Sequence, residues 1–400
     1  MRKMTLVLHI GTEKTGTTLL QKWLYKNRRQ LMEQGFFLSD KLGWENNREL
    51  VAYFRTDRDE FWDFNGFRDV QDKHDYFAGF LEDVEKEIIE AAENHHTMII
   101  TSEHFHSRLT NDVDVQNFSS FCRRNFGDHV LICYLRPQWE VRKSLYSTDL
   151  KNAETDDFSV YKDDLTSSDP YFNYSDLYKR WKRNFSSAKM DFRRYSRASF
   201  VDDDIRRDFM TAMPVPVRTE GMEFGSEREN ESLKKLQASA YVAVNRTTPL
   251  FSGGRVDHRN YEYKALLDEI ELLKRGAIKD ILSNTVYDVF KSSNNLLFRD
   301  VFFGDDVFGA PKDDAVEDET LSISEVGKII EALVEKLIPF FQKKCLSDAE
   351  VDLVRDVALK SETGGQLSKE EAIGLMRIAR KSRPSGEFIR SKLKEWAGDD

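Results

Sequence analysis

Cysteine is scarce in this 400-residue chain: Cys122, Cys133 and Cys345 are the only three, and they lie far apart. An odd, scattered set excludes a disulfide framework and offers no zinc-ligand spacing. Cys133 sits inside an apolar run and is expected to be a buried free thiol. No stretch approaches the ~18–20 apolar residues of a membrane span. The apolar part of residues 1–10 is too short for a signal peptide and lacks a cleavage signature. The N-x-[ST] matches at 173–175 and 245–247 therefore read as chance. These absences predict a cytoplasmic protein in a reducing compartment. An excess of basic charge is also missing. Sixty Lys and Arg against 70 Asp and Glu leave a formal net charge of −10, which argues against a nucleic-acid partner. There is no internal repeat and no low-complexity tract. The hydrophobic fraction of 40%, with 12% aromatics, excludes a disordered chain.

Four runs read as strands: 5–10, 97–101, 130–135 and, more weakly, 190–195. The first three are nearly continuous apolar runs, as a parallel sheet buried on both faces requires. Helical patterns at 77–92, 115–126, 139–150 and 174–185 separate them. This alternation predicts an α/β fold, a central parallel β-sheet flanked by helices. Ligands in such folds sit at the carboxyl ends of the strands. Residues 11–18, 102–108 and Arg136 all fall there.

The domain reading is an α/β domain over 1–305, an acidic linker over 306–321 and a helical extension over 322–400. In the extension, Ser347 to Glu350 and Ser368 to Glu371 fit capping boxes. Residues 36–77 form an aromatic insert, read either as cover for the sheet or as an acceptor groove, since aromatic faces pack on sugar rings. Stretches 214–232 and 252–262 are rich in Gly, Pro and charge and read as loops.

The chemistry concentrates in His9-Ile10-Gly11-Thr12-Glu13-Lys14-Thr15-Gly16-Thr17-Thr18. A strand, a Gly/Thr/Lys turn and a helix start make an anion site, because the first helical N–H groups lack partners and carry the positive end of the dipole. Gly16 permits close backbone approach. Lys14 adds charge, and Thr17 and Thr18 add hydroxyls. A Walker A loop would place the Lys after the second Gly; here Lys14 precedes Gly16. A second anion site follows the third strand. Arg136 brings a bidentate fork, Pro137 suits a first helical turn, and Ser144 follows eight residues later. The same helix carries Arg142, Lys143 and Tyr146.

Lys14-Thr15-Gly16-Thr17-Thr18 resembles the 5′-phosphosulfate-binding loop of sulfotransferases, K-[ST]-G-T-T. Arg136 with Ser144 resembles their 3′-phosphate site. The segment 101–108 resembles the S-S-E segment of bacterial members, and Arg180-Trp181 and Asn230 to Leu233 look like later landmarks. The chain therefore resembles the bacterial carbohydrate-type sulfotransferases that use 3′-phosphoadenosine-5′-phosphosulfate (PAPS), over about residues 4–250. The resemblance implies a P-loop-like sheet, and PAPS bound by Gly11, Lys14, Thr15, Gly16, Thr17, Thr18, Arg136 and Ser144. It implies an acceptor hydroxyl on a carbohydrate or glycoconjugate, and no metal. Leu19 stands where many eukaryotic members carry an adenine-stacking Trp. Their later R-K-G loop is missing, with Ser252-Gly253-Gly254-Arg255 a possible substitute.

Sulfuryl transfer needs charge neutralisation, for which Lys14 is placed, and a base for the acceptor hydroxyl. Glu103 is the first choice, with His104 and His106 as alternatives. Arg108 is expected to hold an anionic substrate group or to pair with Glu103. His9 is expected to pack beneath the loop. Two rivals are a P-loop nucleotide kinase or nucleoside triphosphatase, and a non-catalytic nucleotide-binding protein on the same scaffold.

Overall fold

Strand β1 (Thr5–His9) is the centre of a five-stranded sheet completed by β2 (Phe36–Phe37), β3 (Thr97–Thr101), β4 (His129–Leu135) and β5 (Lys189–Arg194). The order is β2-β3-β1-β4-β5 and every pairing is parallel. Thr5 to His9 run in register with Thr97 to Thr101, and Leu6 to His9 with His129 to Ile132. The computed structural model describes residues 2–43, 45–225, 232–252, 255–312, 322–343, 346, 348–360, 367–383 and 386–397. Trp44, Asn230, Gly253, Gly254, Cys345, Ser347 and positions 313–321 of the expected linker lie outside the described residues.

Period-two alternation divides the sheet's side chains between two layers. Leu6, Leu8, Met98, Ile100, Leu131, Cys133 and Leu135 face one core, and Val7, Ile99, Val130, Ile132 and Tyr134 the other. Both cores are covered by helices, which is why the three central strands read as unbroken apolar runs. Helix α1 (Thr17–Lys26) covers the second core with Leu20, Trp23 and Leu24. Helices α4 (Asp112–Asn125) and α6 (Tyr174–Asn184) cover the first with Phe118, Phe121, Cys122, Trp181 and Phe185. Between these lie α2 (Glu60–Asn65), α3 (His104–Ser107) and α5 (Gln138–Asn152). Asn111 and Asn173 cap α4 and α6 by accepting from Asp114 N and Asp176 N. The α/β expectation holds, with a parallel sheet and flanking helices. Cys122 and Cys133 are buried free thiols.

The chain divides into two units. The first, Met1–Ser232 with Ile278–Ala315, holds the sheet. In the second, Leu233–Ala277 with Val316–Asp400, the regular elements among the described residues are helices and a short hairpin (Phe251–Ser252 with Arg255–Val256). The predicted loop at 252–262 needs correction at its end, because helix His258–Asp268 begins inside it. Asp257 starts that helix by accepting from Arg259 N. The C-terminal helices Asp348–Leu359, Lys369–Ser382 and Glu387–Ala397 share a core that includes Val351, Met376, Ala379 and Ile389. The capping box at Ser368 is present in full: Ser368 Oγ accepts from Glu371 N, and Glu371 Oε2 accepts from Ser368 N. Among the described residues, no helix is long and apolar enough to cross a membrane.

Candidate active site

Because every strand points the same way, the segments after β1, β3, β4 and β5 leave from one edge of the sheet. They line a cavity of about 420 Å³ with Glu13, Lys14, Gly16, Thr17 and Thr18 from the first, Glu103, His104 and Arg108 from the second, Arg136 from the third and Tyr195 from the fourth. That size suits a small-molecule site. Helix α5 adds Ser144, Ser147, Thr148 and Lys151. A neighbouring hollow of about 470 Å³ runs along α1 past Lys22 and Trp23; it shares only Leu19 with the cavity.

Two glycines set the shape of the loop after β1. Gly11 has φ +94°, and a Cβ there would stand 3.1 Å from the backbone Cα of Glu103, so the first two loops touch only because Gly11 has no side chain. Gly16 has φ +71° at the N-cap of α1, and a Cβ there would lie 3.3 Å from Tyr195 Oη. No side chain caps α1, and its first turn carries no acid. Thr17 and Thr18, its first two residues, line the cavity, so the positive end of the helix dipole lies beside it. Thr15 turns inward, its hydroxyl donating to Thr12 O at 2.5 Å, and Thr12 Oγ1 donates to Tyr134 O. Thr15 and Gly11 thus build the loop, while Lys14, Gly16, Thr17 and Thr18 face the cavity.

Arg136 ties the loop after β1 to helix α5. Its Nη1 donates to Lys14 O at 3.0 Å and its Nε pairs with Glu140 at 2.9 Å. Lys14 Nζ donates to Thr148 Oγ1 at 2.5 Å, across the cavity on α5. Burial lowers the Lys14 pKa against the opposing pull of Glu13 and Asp149. Arg142, on the same helix, takes no part: it is fully buried, bonded to Tyr161 O, Phe158 O and Asp280.

Glu103 lies just beyond β3. Burial raises its carboxyl pKa, while a 2.6 Å hydrogen bond from Gln21 Nε2 to Oε2 works the other way. His106 is a strut. Its Nδ1 accepts from Glu13 N at 3.4 Å, its Nε2 donates to Tyr171 O at 2.8 Å, and burial holds its pKa down at about 4. His104 does line the cavity; burial first, then Arg48, lowers it to about 4, so it is neutral near pH 7. Arg108 pairs with Glu60 rather than with Glu103. His9 packs under the loop as expected, hydrogen-bonded to Thr101 Oγ1 and edge-on to Tyr134 and Phe209.

Sequence reasoning missed Glu13, Gln21, Thr148 and Tyr195. Glu13 accepts from Tyr171 Oη at 2.9 Å. Burial would raise its carboxyl, but the Ser107 hydrogen bond, His106 and Arg108 hold it below the ordinary value. Helical spacing could have found two of them. Ser147, Thr148 and Lys151 follow Ser144 at i+3, i+4 and i+7, and Gln21 follows Thr17 at i+4. Tyr195 carried the signal of being the first residue beyond β5. The landmark residues Arg180 and Trp181 prove to be supports: Arg180 holds Leu109 O, and Trp181 packs on Phe105 and Phe118.

No family model matches the chain. Over 253 residues it is 24% identical to an uncharacterized protein of Archaeoglobus fulgidus, an alignment that covers 62% of this chain. It spans 66% of that relative's length, just under two thirds.

Proposed function

We propose that this chain is a sulfotransferase that moves the sulfuryl group of PAPS to a hydroxyl of a carbohydrate or glycoconjugate. The observation that carries the reading is one cavity walled by two groups of residues suited to phosphate and by a raised carboxyl. These are the Lys14 to Thr18 loop, Arg136 with Ser144, and Glu103. The order β2-β3-β1-β4-β5, with the anion loop directly after central β1, supports calling the sheet P-loop-like.

The donor set fits a nucleotide charged at both ends. The uncapped amides of α1 and the hydroxyls of Thr17 and Thr18 would hold the 5′-phosphosulfate, close to a backbone position that a Cβ would crowd. Arg136 and Ser144 would hold the 3′-phosphate, with the Tyr195 ring beside Arg136, 5.5 Å from its guanidinium. Bound PAPS supplies the activated sulfuryl group. Lys14 supplies the positive charge that a departing phosphate needs, already fixed in the cavity before reaction. Glu103 takes the acceptor's proton: its raised carboxyl makes it a better base than a surface glutamate, and Gln21 fixes one oxygen in place. His106, with both ring nitrogens engaged, orients the loop instead. A cytoplasmic location belongs to the same proposal and is supported by the free thiols Cys122 and Cys133.

The test is calorimetry with 3′-phosphoadenosine 5′-phosphate, the product nucleotide, followed by a screen of hydroxyl acceptors with sulfur-labelled PAPS. Binding of the bisphosphate and label transfer to a sugar are the expected results. Tighter, Mg²⁺-dependent binding of ATP would replace the proposal with the kinase reading, and nucleotide binding with no transfer to any acceptor would replace it with a binding protein.

A further inference from the structure

The segment that carries Glu103 also brings one guanidinium to the cavity, that of Arg108. Its fork is closed on Glu60: Nε lies 3.0 and 3.2 Å from the two carboxylate oxygens, and Nη2 lies 2.6 Å from Oε1. A second arginine flanks the same carboxylate. Arg48 Nη2 is 3.5 Å from Glu60 Oε1, and Arg48 Nη1 is buried with no hydrogen-bond partner among the described residues.

Acids outnumber arginines around this point. Arg48, Arg55 and Arg108 face Asp57, Asp59, Glu13 and Glu60, paired at 2.6–3.9 Å. Without Glu60 the group is neutral, and two guanidinium groups flank the carboxylate position. Glu60 is the most exposed of the acids that pair with Arg108. Its side chain is 42% exposed, against 6% for Asp59 and 18% for Glu13. It opens α2, a six-residue helix in which only Trp62 is buried. Asp59, by contrast, is held by Arg48 at 2.7 Å and caps α2 through Phe61 N. The two arginines, 13% and 25% exposed, are more enclosed than the carboxylate between them.

We infer that Glu60 fills a subsite built for a carboxylate of the acceptor, so that the acceptor is an acidic sugar whose carboxylate docks between Arg108 and Arg48 while its hydroxyl reaches Glu103. A carboxylate is chosen because the group now seated there is one, gripped in the fork geometry that arginine makes with carboxylates. The inference rests on the sulfotransferase reading for the role of the acceptor, but not for the binding it predicts.

The test compares methyl β-glucuronide with methyl β-glucoside, which differ in the carboxylate, by ligand-observed NMR titration of the full chain. Glu60→Gln should tighten glucuronide binding about tenfold and leave glucoside unchanged. Glu60→Asp, which keeps the charge but draws it back by one methylene, should give a smaller gain. Adding Arg108→Lys to Glu60→Gln should abolish the gain, since a point charge cannot reproduce the fork. An unchanged glucuronide-to-glucoside ratio in both Glu60 variants overturns the inference. Calorimetry with the bisphosphate nucleotide on the same samples separates the two ideas. Its failure removes the sulfotransferase reading alone, whereas a flat sugar ratio with intact nucleotide binding removes only the acidic-sugar subsite.

Discussion

Replacing Arg136 by alanine separates the two ends of the proposed nucleotide. The Arg136 side chain is 24% exposed, so its contact with a phosphate is partly shielded from solvent. Hydrogen bonds to charged groups contribute ~1.5–3 kcal/mol, and partial exposure favours the lower half of that range. A loss of ~2 kcal/mol corresponds to roughly 30-fold weaker binding. Arg136 also holds Lys14 O at 3.0 Å, so a smaller, indirect cost at the 5′ site is expected as well. The assay is calorimetry with 3′-phosphoadenosine 5′-phosphate and, in parallel, with AMP, which lacks the 3′-phosphate. Arg136→Ala should weaken the bisphosphate by roughly 30-fold and AMP only slightly. Lys14→Ala should weaken both. Arg136→Lys should fall between, because it keeps the charge and loses the fork. If Arg136→Ala weakened AMP and bisphosphate equally, Arg136 would be only a brace for the loop and the second anion site would be refuted.

Three further outcomes are expected. Glu103→Gln should spare nucleotide binding and lower turnover by ~10²–10⁴; since burial raises this carboxyl, kcat/KM of the wild type should rise with pH through a limb above the ordinary 4.5, a limb the variant lacks. Gly16→Ala should cost ~1–2 kcal/mol, because φ is +71° and the new methyl meets Tyr195 Oη; an unchanged melting temperature together with unchanged nucleotide affinity would show that the turn does not need a left-handed residue. His106 is buried neutral, with a folded pKa of about 4 against 6.5. The unfolded chain therefore binds the proton first, and stability should be full above about 6.5 and fall as pH drops toward about 4, by ~3 kcal/mol at most from this residue. Urea titrations across that window check it, and a flat profile in the wild type would contradict the burial argument.

The central strands were legible because β1, β3 and β4 are buried on both faces and so contain little but apolar residues. Strand β2, two residues long, carries too little pattern to be seen, and β5 reads weakly because it is an edge strand with alternating charge, Lys189 to Arg194. The anion loop was legible because its chemistry is local: strand, glycine, lysine and helix start lie within ten residues. Arg142 shows the opposite case. It stands on α5 two residues before Ser144, yet its partners come from Phe158, Tyr161 and Asp280, whose approach is a matter of tertiary packing. The same holds for Arg108: a pairing with Glu103, five residues away, was a reasonable local expectation, and Glu60, 48 residues away, took the guanidinium instead. Within the aromatic insert, Phe61, Phe67, Tyr76 and Phe77 pack on one another, contacts that sequence spacing alone does not specify.

The hydrogen bond from Gln21 to Glu103 has a mechanical side. Thr17, Thr18 and Gln21 ride on the same helix, within about one turn, and an α-helix is stiff over that length. A shift of the first two as an anion seats would carry the third, and with it the oxygen that Gln21 grips. Such a linkage would let donor loading tune the base before an acceptor arrives. It would show up as an order in which the two substrates add, readable in initial-rate patterns and erased by Gln21→Ala.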